Sequence, residues 1–191
     1  DTFKNLVSLY EHMGQYEKAL ILFTESMENA KKYLPEAHPD YGDRLSSLGS
    51  IYTHLGQYEK ALPYYIEASE NVVEIFGKTH RYYSSSLNNI SILYSKMGQY
   101  EKALPIGLEA LEISKKSIGK SHPNYDLSLS NLGLLYEEMG QYEKALPYYL
   151  EALENAYNSL GTSHPEYAIR LSNLGGLYKS IGNHNRALEL Y

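Results

Sequence analysis

Cysteine is absent from the 191 residues, which excludes disulfides, thiolate nucleophiles and every zinc site that needs a Cys ligand. Tryptophan is absent too, and Phe occurs three times. No apolar run approaches the roughly 18 residues of a membrane helix, so no membrane partner is expected. Basic residues are in deficit: 17 Lys and Arg against 23 Asp and Glu leave a formal net charge of −6. Without a cationic surplus to displace counterions from phosphates, nucleic acid is not an expected partner either. The one excess is tyrosine, with 21 copies. In an otherwise ordinary composition, such a bias points to a few positions being repeated.

They are repeated with a step of 42. The octet Gly-Gln-Tyr-Glu-Lys-Ala-Leu-Pro begins at Gly56, Gly98 and Gly140, with a near copy from Gly14 and a worn one from Gly182. The same step relates Tyr10, Tyr52, Tyr94, Tyr136 and Tyr178, then Tyr41, Tyr83, Tyr125 and Tyr167, then His38, His80, His122 and His164. Five units follow, at approximately 1–40, 41–82, 83–124, 125–166 and 167–191. They imply one array over 1–191, not separate globular domains.

Each unit contains two helical patterns. Leu129, Leu132, Gly133 and Tyr136 fall at i, i+3, i+4 and i+7, one face of a helix A from about Tyr125 to Met139 that Gly140 stops. A second helix, B, begins near Gln141, turns Tyr142, Ala145, Tyr149, Ala152 and Leu153 inward, and ends before Gly161. The linker Ser163-His164-Pro165 places a Pro where the first turn of the next helix tolerates it. Pro63, Pro105 and Pro147 fall in the second turn of helix B, where each removes one backbone hydrogen bond.

Candidate chemistry is sparse. Gly77-Lys78-Thr79 and Gly119-Lys120-Ser121 look like the tail of a phosphate-binding loop, but Val72 and Ser114 stand where that motif needs Gly, and a helix precedes them instead of a strand. They read as helix-ending turns. The four linker His cannot share a metal, because equivalent atoms of successive layers lie on the order of 10 Å apart while zinc ligands sit about 2 Å from the ion. Each His is expected to tie its own linker. No catalytic residue, metal site or cofactor is indicated.

The buried set resembles the tetratricopeptide repeat family. The fourth unit supplies Leu129, Leu132, Gly133, Tyr136, Gly140, Ala145, Tyr149 and Ala152 in that family's order, and the second supplies Leu45, Leu48, Gly49, Tyr52, Gly56, Ala61, Tyr65 and Ala68. Val7 and Ser91 depart from the helix A Gly, Ser26 from the last Ala and Gly107 from the aromatic. The 42-residue step and the His-Pro-x-Tyr linker are most similar to repeats of kinesin light chains and of long bacterial arrays. The resemblance implies an all-α, right-handed superhelical solenoid of about ten helices in antiparallel pairs.

The resemblance also implies a concave groove lined by A helices. Family contact positions transfer to Asp43, Ser46, Ser50 and His54 in the second unit, and to Asn88, Ile92 and Lys96 in the third. They continue with Leu127, Ser130, Leu134 and Glu138 in the fourth and Ser172 in the fifth. His12 is a further contact candidate on helix A of the first unit. Asn is missing from the middle groove position, which disfavours capture of chaperone tails, and Glu137 and Glu138 disfavour acidic cargo. The expectation is a non-enzymatic scaffold binding a peptide or protein segment in a mostly uncharged groove. A structural spacer or self-associating solenoid arm, stacking end to end, is the alternative, and a cytoplasmic setting is expected.

Overall fold

The computed structural model describes residues 9–10, 13–33, 38–120 and 122–191. Among them the chain forms nine helices and no strand: α1 (Tyr16–Tyr33), α2 (Pro39–His54), α3 (Tyr58–Phe76), α4 (Arg81–Lys96), α5 (Tyr100–Ile118), α6 (Pro123–Glu138), α7 (Tyr142–Leu160), α8 (Pro165–Ser180) and α9 (His184–Leu190). Helix A of the first unit, except Leu9 and Tyr10, lies outside the described residues, as do His12 and Ser121. α2, α6 and α8 begin at the linker Pro and α4 at Arg81 in the same place, so α6 starts two residues before the point at which its apolar periodicity begins.

Two compact units are present, Asp1–Lys78 and Thr79–Tyr191. In the first, α2 and α3 form an antiparallel hairpin and α1 packs on α2. In the second, the hairpins are α4/α5, α6/α7 and α8/α9; α5 lies against α6, α7 against α8, and the A helices α4, α6 and α8 are neighbours in that order.

The repeated residues build the helix ends. His38, His80, His122 and His164 are N-caps, each accepting on Nδ1 the backbone N–H two residues on, at 3.1, 3.3, 3.1 and 3.2 Å. The linker His ladder therefore serves helix starts. At the other end of helix A, Gly140 takes φ +71°. Its N–H reaches the Glu137 carbonyl and the next N–H, of Gln141, reaches Tyr136, both at 2.8 Å. This doubly bonded left-handed stop recurs at Gly56, Gly98 and Gly182. Gln99 and Gln141 then hold the Lys three residues on at 2.8 and 2.9 Å, which sets Lys102 and Lys144 over the rings of Tyr94 and Tyr136. Gly77, Gly119 and Gly161 end the B helices with φ of 77–81°, as helix-ending turns and not phosphate loops.

Small residues set the spacing within each hairpin. Ala61, Ala103 and Ala145 are fully buried. A Cβ on Gly49 or Gly133 would stand 2.8 Å from the ring of Tyr65 or Tyr149, so the glycine of helix A is the seat of the tyrosine of helix B. The third unit inverts the pair. Its Gly107 replaces the Tyr, its Ser91 replaces the Gly, and the Ser91 hydroxyl donates to the Ala103 carbonyl at 2.9 Å. The second Tyr ladder clamps helix A to helix B: Tyr41 donates to Glu67 at 2.5 Å and Tyr125 to Glu151 at 2.8 Å. Pro63, Pro105 and Pro147 lie inside helices that run on through them, on the exposed side.

Candidate ligand groove

The A helices of the second compact unit meet along a polar seam. Asn88 of α4 donates to Ser128 of α6 at 2.8 Å, and Ser128 in turn donates to the Asn124 carbonyl at 3.1 Å. Asn124 approaches Ser85 at 3.4 Å, and Ser95 donates to Glu138 near the helix ends. On the far side of α6, Ser180 of α8 donates to Glu137 at 2.7 Å, and Tyr149 of α7 donates to the other Glu137 oxygen at 3.0 Å. Burial, and then the neighbouring Glu137 carboxylate, push the Tyr149 phenol well above its ordinary range. Glu137 and Glu138 thus brace α6 against both neighbouring A helices.

That seam sorts the groove residues expected from sequence. Asn88 and Ser130 are buried, at 3% and 7% exposure. Ile92 is half-buried, while Lys96, Glu138 and Ser172 are exposed. Leu127 and Leu134 are 45% and 48% exposed, and Ile169 of α8, one repeat step after Leu127, is 45% exposed. In the first compact unit, Asp43 and His54 are exposed and Ser46 and Ser50 half-buried. The His54 ring stacks on Tyr16 with centroids 4.8 Å apart, and its Nδ1 lies 2.9 Å from the Ser50 carbonyl.

One polar cluster escaped the sequence reading. Asp126 of α6 is 4% exposed, and burial raises its carboxyl above the usual range, opposed by the Asn155 amide of α7 and the Arg170 charge of α8. Arg170 is buried and pairs with Glu166 at 2.8 Å. The available signal was a break in the ladders, since Ser84 and Ala168 occupy the steps on either side of Asp126, and Ser128 precedes Arg170 by one step. Among the described residues no three His, Asp or Glu gather as metal ligands would, and no helix is long and apolar enough to cross a membrane.

Comparison with known proteins gives consistent results. Residues 45–116, 94–158 and 127–191 match one tetratricopeptide repeat profile, and residues 2–34 match a second. No curated protein matches the sequence. Among solved structures, nearly identical TPR-like repeats assigned to a kinesin light chain of Podosopora anserina superpose with a TM-score of 0.79, at 21% identity over 99% of this chain and 90% of that one. BtubC (BKLC) from P. vanneervenii gives 0.80, at 23% identity over 98% and 75%. A Rap protein complexed with competence and sporulation factor gives 0.82, at 16% identity over 99% and 51%. At these identities the likeness is one of fold.

Proposed function

Since the chain belongs to the tetratricopeptide repeat family, we propose that it is a protein-interaction scaffold whose A helices bind a peptide or protein segment. The observation carrying this reading is the distribution of apolar surface. Leu127, Leu134 and Ile169 hold nearly half their surface in water on neighbouring A helices, while the polar Asn88 and Ser130 beside them are buried. Leu127 and Ile169 hold the same repeat position on adjacent A helices and Leu134 lies two turns on from Leu127, so the three exposed aliphatic side chains are all available to a partner lying along these helices. Repeat arrays of this kind bind along the face that consecutive A helices build together. That a Rap protein of the same fold was solved with competence and sporulation factor supports a peptide or protein as the kind of partner.

The test compares two faces of the molecule. Leu127→Arg and Leu134→Arg alter the A helices, whereas Leu108→Arg and Leu150→Arg alter the similarly exposed B helices. Peptides selected from a displayed library on the parent chain are expected to lose binding to the first pair of variants and keep it with the second. Equal behaviour of both pairs contradicts the groove, and failure to retain any peptide favours the spacer reading. Asn88 and Ser130 are unsuitable probes, because both are buried and an Arg at either would disrupt the packing of the helices before it reached a ligand.

A further inference from the structure

Inside each compact unit, a leucine of helix B meets the apolar stripe of the A helix that follows it. Leu20 of α1 joins the cluster that holds Leu48 and Ile51 of α2, Leu104 of α5 joins Leu132 and Leu135 of α6, and Leu146 of α7 joins Leu174 and Leu177 of α8. Both sides of this contact are covered. Ile51, Leu135 and Leu177 are at most 3% exposed, and the three B-helix leucines are half-buried.

The same two ladders end in water. Leu9 stands one repeat step before Ile51 and is 54% exposed, while Leu188 stands one step after Leu146 and is 75% exposed. A third ladder repeats the pattern: Leu55, Met97 and Met139 are half-buried, but Met13 and Ile181 at its two ends are 57% and 45% exposed. Helix α9 is nonetheless set as a B helix. The Tyr191 ring lies 3.1 Å from where a Cβ of Gly175 would stand, the seat that Tyr149 takes at Gly133, and Ala187 is buried as Ala145 is. Leu188 is therefore held at the place from which Leu146 meets the next A helix. Array ends that stay soluble as single chains carry polar outer faces, and these two carry aliphatic ones.

The two ends are opposite halves of one contact. Leu6 and Leu9 hold the sequence positions of Leu132 and Leu135, the A-helix half, with no B helix before them in the 191 residues. Leu188 belongs to the B-helix half, with no A helix after it. A second copy of this chain supplies what each end lacks. We propose that the chain associates head to tail, Leu188 of one copy docking on the Leu6 and Leu9 stripe of the next as Leu146 docks on Leu174 and Leu177. Such a contact is heterologous, so a pair still has one free face of each kind. Because α9 has seven residues where α7 has 19, the contact is smaller than its internal counterpart and the association is weak and reversible. It involves the ends of the array and is independent of whether the A-helix face takes a peptide.

Sedimentation equilibrium of the 191-residue chain over a concentration series tests this. The mean mass is expected to rise above that of a single copy. Leu9→Arg and Leu188→Arg each charge one face and leave the other intact, and at such exposed positions neither is expected to lower the thermal midpoint. Each variant alone is expected to stay monomeric at every concentration. Their equimolar mixture is expected to form pairs and nothing larger, through Leu188 of the first variant and Leu9 of the second. Leu134→Arg, on the A-helix face, is expected to associate as the parent does. Leu9→Ser and Leu188→Ser take the place of an Arg variant that does not fold. A parent that is monomeric throughout, a single end variant that still self-associates, a mixture that does not pair, or loss of association in Leu134→Arg overturns the head-to-tail contact.

Discussion

Glycine 133 and tyrosine 149 show how one residue dictates another across a hairpin. The ring lies where a Cβ would be, 2.8 Å away, so Gly133→Ala must push either the ring or the helix. Overpacking of this kind costs about 1–3 kcal/mol, measurable by urea unfolding. The inverted pair Ser91 and Gly107 shows a second solution to the same volume. Installing it in the fourth unit as Gly133→Ser with Tyr149→Gly should destabilise less than the two single changes summed, with a coupling of about 1 kcal/mol or more in a double-mutant cycle. Additive costs would mean that the two positions do not share space. Asp126 makes a different prediction. Its carboxyl is raised above the ordinary value of about 3.9, chiefly by burial, so the folded chain holds this proton more tightly than the unfolded one. The stability it contributes is complete below that ordinary value and is lost as pH rises through the raised native one. The stability of Asp126→Asn relative to the parent should therefore grow between pH 3 and neutrality. A flat difference would contradict the burial of a charged group.

Single elements owe their ends to ladder residues, not to apolar periodicity. His122 and its counterparts leave a backbone N–H unpaired when removed, so His122→Ala should cost about 1 kcal/mol, with His122→Asn recovering most of it. Chemical denaturation of the two variants side by side tests this, since an equal loss would assign the His some role other than capping. At the far end of the same helix, Gly140 sits at φ +71°, where a Cβ crowds the following carbonyl. Gly140→Ala is expected to lose about 1–2 kcal/mol in the same assay although nothing lies within 4 Å of the added methyl. The capping His and the stop Gly explain why both recur at every step. The repeat reading identified them, and the periodic apolar pattern alone placed the start of α6 two residues late because the proline-led first turn carries no apolar stripe.

In the second compact unit, stability is distributed through nearest neighbours, because α6 is covered by its own partner α7, by α5 and by the flanking A helices. Leu132, 1% exposed, packs in the cluster of Ala103 and Leu135, so Leu132→Ala should cost roughly 2–5 kcal/mol. Hydrogen exchange should show the loss of protection greatest in α5, α6 and α7. A loss confined to α6 would mean that the helices do not depend on each other's apolar faces.

The amino-acid sequence alone determined the 42-residue step, the helix pair within it and the buried stripe, because each depends on local spacing that recurs and is legible without knowing the neighbours. Only the tertiary structure decided which groove candidates meet solvent. An A helix has three surfaces, one against its own B helix, one against the next A helix and one open. Here the second is a polar seam of Asn88, Ser128 and Glu138, so by composition it looks like an exposed face. Asn88 and Ser130 were consequently read with the open surface, and the burial of Asp126 and Arg170 went unseen. Helical periodicity separates apolar from polar, but a polar residue that bonds a neighbouring helix and one that bonds water carry the same signature until the helices are placed side by side.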